Sequence, residues 1–241
     1  MATQLDAGRE AATEAARLGA FRETARRVAH ELKNPLTPIR FAIARLRQSA
    51  TPEQSDAIEV LETETQRLDT LARSFAQFGR LPDGPVADVD IAELLRYAAR
   101  STLPSTMSVS LDIAEPLPFV PGHHDPLARA IGNILLNAAD AAGPTGSIAV
   151  AADVITAPAP SVRIRVSDTG PGMTAETACR IWEPYMTTKP GGTGLGLAIV
   201  RQTIRAHGGT VSAASAPGEG TTIIVTLPIM RTTSSAGQLH G

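Results

Sequence analysis

The chain has 241 residues, 43% hydrophobic and 19% charged, with a formal net charge of -2; that is enough for one or two domains with a substantial core, and it gives no electrostatic reason to bind nucleic acid. A single cysteine, Cys179, excludes an intrachain disulfide framework and a multi-cysteine zinc site and fits a reducing compartment. No run of the roughly 18 apolar residues needed to cross a bilayer occurs, and the N-terminus lacks the apolar core of a signal peptide, so a soluble, cytoplasmic chain is expected, with the region upstream of Met1 left open.

From about Arg9 to Gln48 the composition is rich in Ala, Arg, Glu and Leu. Phe21, Ala25, Val28, Leu32, Leu36, Ile39, Ile43 and Leu46 recur every three or four positions, which predicts an amphipathic helix burying that stripe. At about 100° per residue, His30 falls roughly opposite the stripe and Asn34 returns to within about 40° of it, so both are expected to face solvent. Pro35 removes the amide that would bond the Glu31 carbonyl, predicting a bend that opens access to the imidazole. Thr51 as N-cap and Pro52 at the first helical position start a second helix with Ile58, Leu61, Thr65, Leu68, Leu71 or Ala72, Phe75 and Phe78 on one side, ending near Gly79 and Pro82. Two long helices joined by so short a turn predict an antiparallel hairpin, and its shortage of apolar partner surface predicts pairing of two chains into a four-helix bundle.

The breaker segment 81–85 marks the expected boundary between a hairpin domain (1–80) and a domain of alternating strands and helices (86–230), followed by a loose tail (231–241). The second domain is expected to hold strands at 86–90, 107–113, 147–156 and 161–168, helices at 91–100 and 126–142, then a glycine-rich loop, a helix near 194–206 and a final pair of strands at 210–215 and 221–227. His123, His124, His207 and His240 read as surface or packing residues.

Three motifs in this domain suit a nucleotide. Asn137 sits in an otherwise apolar helix, where an amide needs partners and its oxygen suits a hard cation such as Mg²⁺. Asp168-Thr169-Gly170-Pro171-Gly172 ends a strand; its glycines allow close backbone approach to a flat ligand, and its carboxylate can accept from an exocyclic amine. Gly191-Gly192-Thr193-Gly194-Leu195-Gly196 runs into a helix N-terminus, which offers amides and a positive dipole end to phosphate. Neither the P-loop ending nor the dinucleotide fingerprint is present, so the loop is a phosphate cradle of another kind.

In this order, after His30-Glu31-x-x-Asn34-Pro35, the motifs resemble those of the sensor histidine kinases of two-component signalling, over nearly the whole chain. His30 to Pro35 resembles the phosphoacceptor box, Asn133 to Ala142 the asparagine box, Asp168 to Met173 and Gly192 to Leu197 the two glycine boxes, and Ile181 to Lys189 the phenylalanine box, with Trp182 and Tyr185 where the family usually has phenylalanines. The wording around His30, with Phe78-Gly79-Arg80-Leu81-Pro82 and Thr187-Thr188-Lys189, is most similar to the nitrogen-regulation (NtrY/NtrB-like) group.

The resemblance implies a dimeric four-helix bundle followed by an α/β sandwich of the GHKL (Bergerat) ATPase type. It implies ATP and Mg²⁺ as cofactors, with Asp168 on the adenine amino group, Asn137 holding Mg²⁺, and Gly194 and Gly196 meeting phosphate through the backbone. Lys189 and Thr188 would touch the outer phosphate, Thr221 or Thr222 an adenine-side water, and Asn133, Gly170, Gly172, Gly192 and Leu195 would complete the site. His30 would be the phosphoacceptor, Glu31 its general base, and Asn34 would orient water for phosphatase action on the response regulator whose receiver aspartate takes the phosphoryl group. The chain would then be an ATP:protein-histidine phosphotransferase, either cytoplasmic or the cytoplasmic portion of a membrane-bound sensor. Two alternatives stand beside it: a transfer-inactive ATP-binding scaffold, and a conformational ATPase of the same superfamily.

Overall fold

Helix α1 spans Ala2–Gln48 and helix α2 Pro52–Phe78. This computed structural model describes residues 2–78, 85–189 and 192–229, apart from the side chains of 2–22, 26, 77 and 78. The tail from 230 on with His240, most of the breaker segment, and Phe21 of the expected stripe therefore lie outside the described residues. Between the helices, Thr51 donates its backbone N–H to Gln54 Oε1 at 3.2 Å and accepts from the Gln54 N–H on its own carbonyl at 3.0 Å, half of a capping box that starts α2 at Pro52. Arg47 and Glu62 pair across the hairpin.

The packing of the hairpin corrects the single-stripe expectation. Buried residues on α1 are Ala25, Ala29, Leu36 and Ile43, and on α2 Ile58, Thr65, Asp69 and Ala72. Several of these repeat at seven-residue spacing, as in an intrachain coiled-coil seam. The Asp69 carboxylate in that seam is held by Arg73 Nε at 2.7 Å. Ile39 (44% exposed), Leu46 (53%), Leu61 (47%) and Leu68 (42%), all expected to be buried, stay open together with Phe41 and Val60. The apolar residues thus form two stripes, and the hairpin covers one.

The second unit contains a five-stranded mixed sheet in the order β2-β4-β5-β7-β6. Its strands are β2 (Ser108–Ile113), β4 (Ser147–Ile155), β5 (Ser161–Asp168), β6 (Thr210–Ser215) and β7 (Thr221–Pro228). Only β2 and β4 pair in parallel. A small antiparallel ribbon joins β1 (Ala87–Val89) to β3 (Val120–Gly122). Alternation places Ile148, Val150, Ala152, Val162, Ile164, Val166, Ile223, Val225 and Leu227 on one face, all buried under α3 (Ile91–Thr102), α4 (His124–Ala142) and α6 (Gly196–Ala206). Asp90 caps α3 by accepting from the Glu93 N–H at 3.0 Å. The expected helices and strands are present within a few residues; β3 and the six-residue helix α5 (Ala175–Arg180), capped by Thr174, were not foreseen.

Candidate functional site

On α1 the backbone stays helical through Pro35 and Pro38. Neither proline can donate, so the carbonyls of Glu31 and Asn34 lose their i+4 amide donors. His30, Glu31 and Asn34 are all exposed, while Ala25, Ala29 and Leu36 are buried in the seam. The imidazole, carboxylate and amide therefore share the solvent face that their spacing assigns to them.

In the second unit, β5 ends at Asp168, whose Oδ1 accepts from the Gly170 N–H at 2.9 Å. This short turn folds the glycine loop back against the end of α4: a Cβ at Gly170 would lie 2.7 Å from the Ala141 carbonyl oxygen. Gly172 has φ +67° and faces the Ala216 carbonyl too closely for any side chain. The loop is pinned from the β6–β7 turn by residues that sequence reasoning assigned only to strands and turns. Ser215 Oγ accepts from the Met173 N–H at 2.9 Å and donates to the Gly220 carbonyl at 2.7 Å, and the Pro171 carbonyl accepts from the Gly218 N–H at 2.7 Å. Gly220, at φ +73°, abuts the Asp168 carbonyl. The run Pro217-Gly218-Glu219-Gly220 has turn composition, but its contact with the Asp168 loop carries no local signal.

The two threonines separate by register. Thr221 pairs with Asp168 and Asp168 with Ile148, so Thr221 shares the helix-covered face with the carboxylate. Thr222 pairs with Ser167 on the opposite face, their hydroxyls 2.8 Å apart. Thr221, 3.0 Å from Ser215 Oγ, is thus the threonine on the Asp168 side of the strand.

Asn133 and Asn137 are half-buried on α4 and face the start of α6. Asn133 Nδ2 lies 3.5 Å from the Gly196 carbonyl oxygen, and a Cβ on Gly196 would sit 3.8 Å from Asn137 Nδ2. A helix N-terminus, an amide side chain and the Asp168 loop are thus assembled by α4, α6 and β5. Along the preceding loop, the Lys189 N–H donates to Thr187 Oγ1 at 3.1 Å and the Gly192 N–H to the Lys189 carbonyl at 3.1 Å; Gly194 has φ +64°. Thr188 and Gly192 are exposed, Lys189 is half-buried and Leu195 is fully buried. Of the aromatics, Trp182 packs on the core, whereas Tyr185 is 50% exposed with φ +69°, and its partial burial raises the phenol above its usual range.

No three His, Cys, Asp or Glu side chains among the described residues converge as a metal cluster. Mg²⁺ fits a sparser set, since it commonly takes one or two protein oxygens and completes its shell with phosphate and water. Asn137, whose side-chain amide lies beside the α6 N-terminus, would bring one oxygen to such a set.

Two family models match in tandem. The His Kinase A (phospho-acceptor) domain covers residues 22–84, and the histidine kinase-, DNA gyrase B-, and HSP90-like ATPase covers residues 122–231. The chain belongs to the sensor histidine kinases. Among relatives of this family, sensor histidine kinase ZraS of Klebsiella oxytoca is 34% identical over 227 residues, 91% of this chain and 48% of ZraS. Nitrogen regulation protein NtrY of Azorhizobium caulinodans is 35% identical over 233 residues, 88% of this chain and 29% of NtrY. The chain thus spans less than half the length of these two kinases. The crystal structure of full-length ShkA in complex with AMPPNP superposes with a TM-score of 0.71 at 29% identity, covering 86% of this chain and 45% of ShkA. No helix among the described residues is long and apolar enough to cross a membrane.

Proposed function

We propose that this histidine kinase chain binds Mg·ATP in its second unit, transfers the γ-phosphoryl group to His30, and passes it to a receiver-domain aspartate of a response regulator. One observation carries the reading: a solvent-facing His-Glu-x-x-Asn set stands on a hairpin in the same chain as an α/β unit whose Asp168 turn, Asn137 and α6 N-terminus suit the two ends of a nucleotide. There Asp168 accepts from the adenine amine, with Thr221 on the same face. Gly170 and Gly172 allow the ring close approach, Gly194 and Gly196 offer backbone amides to phosphate, and Gly192 and Leu195 shape the loop beside them. Thr188 and Lys189 serve the terminal phosphate, and Asn133 steadies the start of α6. Asn137 contributes one oxygen to Mg²⁺, which neutralises phosphate charge when bound.

For transfer, the lone pair of one neutral imidazole nitrogen of His30 attacks the γ-phosphorus, the bond to the bridging oxygen breaks, and ADP leaves with the electron pair. The other ring nitrogen loses its proton to Glu31, so the phosphoimidazole carries no added ring charge. Asn34, one turn along the same face, orients water for hydrolysis of the phosphorylated regulator. Residues 1–80 form the dimerising phosphoacceptor unit and 86–230 the ATP-binding unit, acting in the cytoplasm. The exposed pairs Ile39 and Leu46 on α1 and Leu61 and Leu68 on α2, each seven residues apart and so on one face of its helix, support pairing of two hairpins, because isolated hairpins seldom leave such a row to water.

Incubation with γ-labelled ATP tests the reading. Acid-labile, base-stable label that disappears in His30→Gln supports it; phosphate release without label favours the conformational ATPase; bound nucleotide with neither label nor turnover favours the scaffold.

A further inference from the structure

His207 closes the C-terminal end of α6 against the start of α4. Its Nδ1 lies 2.7 Å from the Thr203 carbonyl oxygen, and its Nε2 lies 2.9 Å from the backbone nitrogen of His123. A carbonyl only accepts, so Nδ1 carries the hydrogen; a backbone amide only donates, so Nε2 carries a lone pair. The two backbone partners therefore fix one neutral tautomer, and a second proton would set N–H against N–H. The rings of His123 and His207 meet edge to face at 5.4 Å, with His123 Nδ1 3.4 Å from His207 Nε2.

His123 occupies the N-cap of α4 yet makes no side-chain cap bond. The fit around the ring is close: a Cβ at Gly122 would lie 2.8 Å from His207 Cδ2. At its other end, α6 is tied to α4 through Asn133 and the Gly196 carbonyl at 3.5 Å. The histidine contact is thus a further tie on the helix pair that carries Asn133, Asn137 and Gly196.

We propose that the His207–His123 contact is a pH-sensitive latch: with His207 neutral it holds the end of α6 on the start of α4, and protonation releases it. Its effect on the kinase rests on the nucleotide reading above; its effect on the fold does not. Charged groups on the surrounding elements, Arg205 of α6, Asp125 and Arg129 of α4 and Asp88 of β1, are exposed, and β3, β6 and β7 carry no titratable side chain. Asp125 lies 3.2 Å from His124. Burial, countered in part by the Thr203 carbonyl, holds His207 below the usual imidazole range, and the positive charge of a protonated His123 acts in the same direction. Since the folded state disfavours the proton, stability is complete above the ordinary imidazole value of about 6.5 and declines as pH falls below it towards the folded value.

The test follows the His207 ring by NMR in the intact chain, together with thermal unfolding and AMPPNP binding between about pH 7.5 and 5.5, in the wild type, His207→Gln and His123→Asp. The latch predicts that His207 titrates below about 6.5, that the wild-type midpoint falls more steeply with acid than that of His207→Gln, and that acid weakens wild-type AMPPNP binding by up to about tenfold. A carboxylate at 123 should raise the His207 titration and flatten the acid loss, which keeps the comparison decisive should His207→Gln fail to fold. Titration at or above about 6.5, or equal acid slopes in the wild type and the variants, overturns the latch. AMPPNP affinity unmoved by pH while the ring and midpoint respond as expected overturns its coupling to the site. Absence of AMPPNP binding at every pH instead overturns the nucleotide reading, and the ring and midpoint data then decide the latch alone.

Discussion

Replacing Asp168 by Asn separates recognition of the adenine amine from the architecture that holds the loop. Oδ1 of Asp168 accepts from the Gly170 N–H at 2.9 Å, and an asparagine amide oxygen can keep that bond and hence the turn. Its other atom becomes an NH₂ donor pointing at an amine that also donates. The loss is one hydrogen bond to a charged acceptor, about 1.5–3 kcal/mol, or about ten- to a hundredfold in nucleotide affinity. Calorimetric titration with AMPPNP measures the loss, and the unfolding midpoint checks that the fold is kept. An inosine nucleotide, whose 6-position accepts, should lose less than the adenine nucleotide. An AMPPNP affinity within about twofold of wild type in a folded Asp168→Asn protein would refute the assignment, since about twofold is under 0.5 kcal/mol.

Gly172→Ala, strained at φ +67° and driven into the Ala216 carbonyl, should cost about 2–5 kcal/mol in urea unfolding, whereas Gly218→Ala, at φ +83° with open space around it, should cost only about 1–2 kcal/mol. Leu61→Glu or Leu68→Glu, each placing a charge in the open stripe of α2, should shift the chain from dimer to monomer in light scattering at micromolar concentration; an unchanged mass would remove the stripe from the dimer interface. Asp153 is held below the usual carboxylate range by its hydrogen bond to Arg163, so it adds stability above the ordinary value of about 4 that is lost as pH falls through the folded value. Asp153→Asn should flatten unfolding midpoints in that acid window and leave neutral activity unchanged.

Legibility followed locality. The start of α2 could be read because Thr51 and Pro52 signal within one turn, and α4 because its apolar residues repeat over five turns. Helical spacing marks apolar positions on the hairpin but not which neighbour covers them: Ala25, Ala29, Leu36 and Ile43 are buried, while Ile39 and Leu46 stay open. Strand β3 is only Val-Pro-Gly, too short for alternation to register. Helix α5 has a cap in Thr174 and an acidic residue in its first turn, but none of its six residues is buried, so it leaves no apolar period to read. The choice between Thr221 and Thr222 is a matter of strand parity, which pairing decides and composition does not. Ser215 and His207 act through partners far along the chain, 42 and 84 residues away, so no local pattern could mark them.

The central claim is that this chain's own ATP-binding unit phosphorylates His30. Mass-spectrometric mapping at alkaline pH, after incubation of the wild-type chain with Mg·ATP, tests it most directly. The account predicts one phosphopeptide containing His30, absent from Asn137→Ala and from His30→Gln. A phosphoryl group mapped to any other residue, or one that persists on His30 when Asn137 is removed, would contradict it.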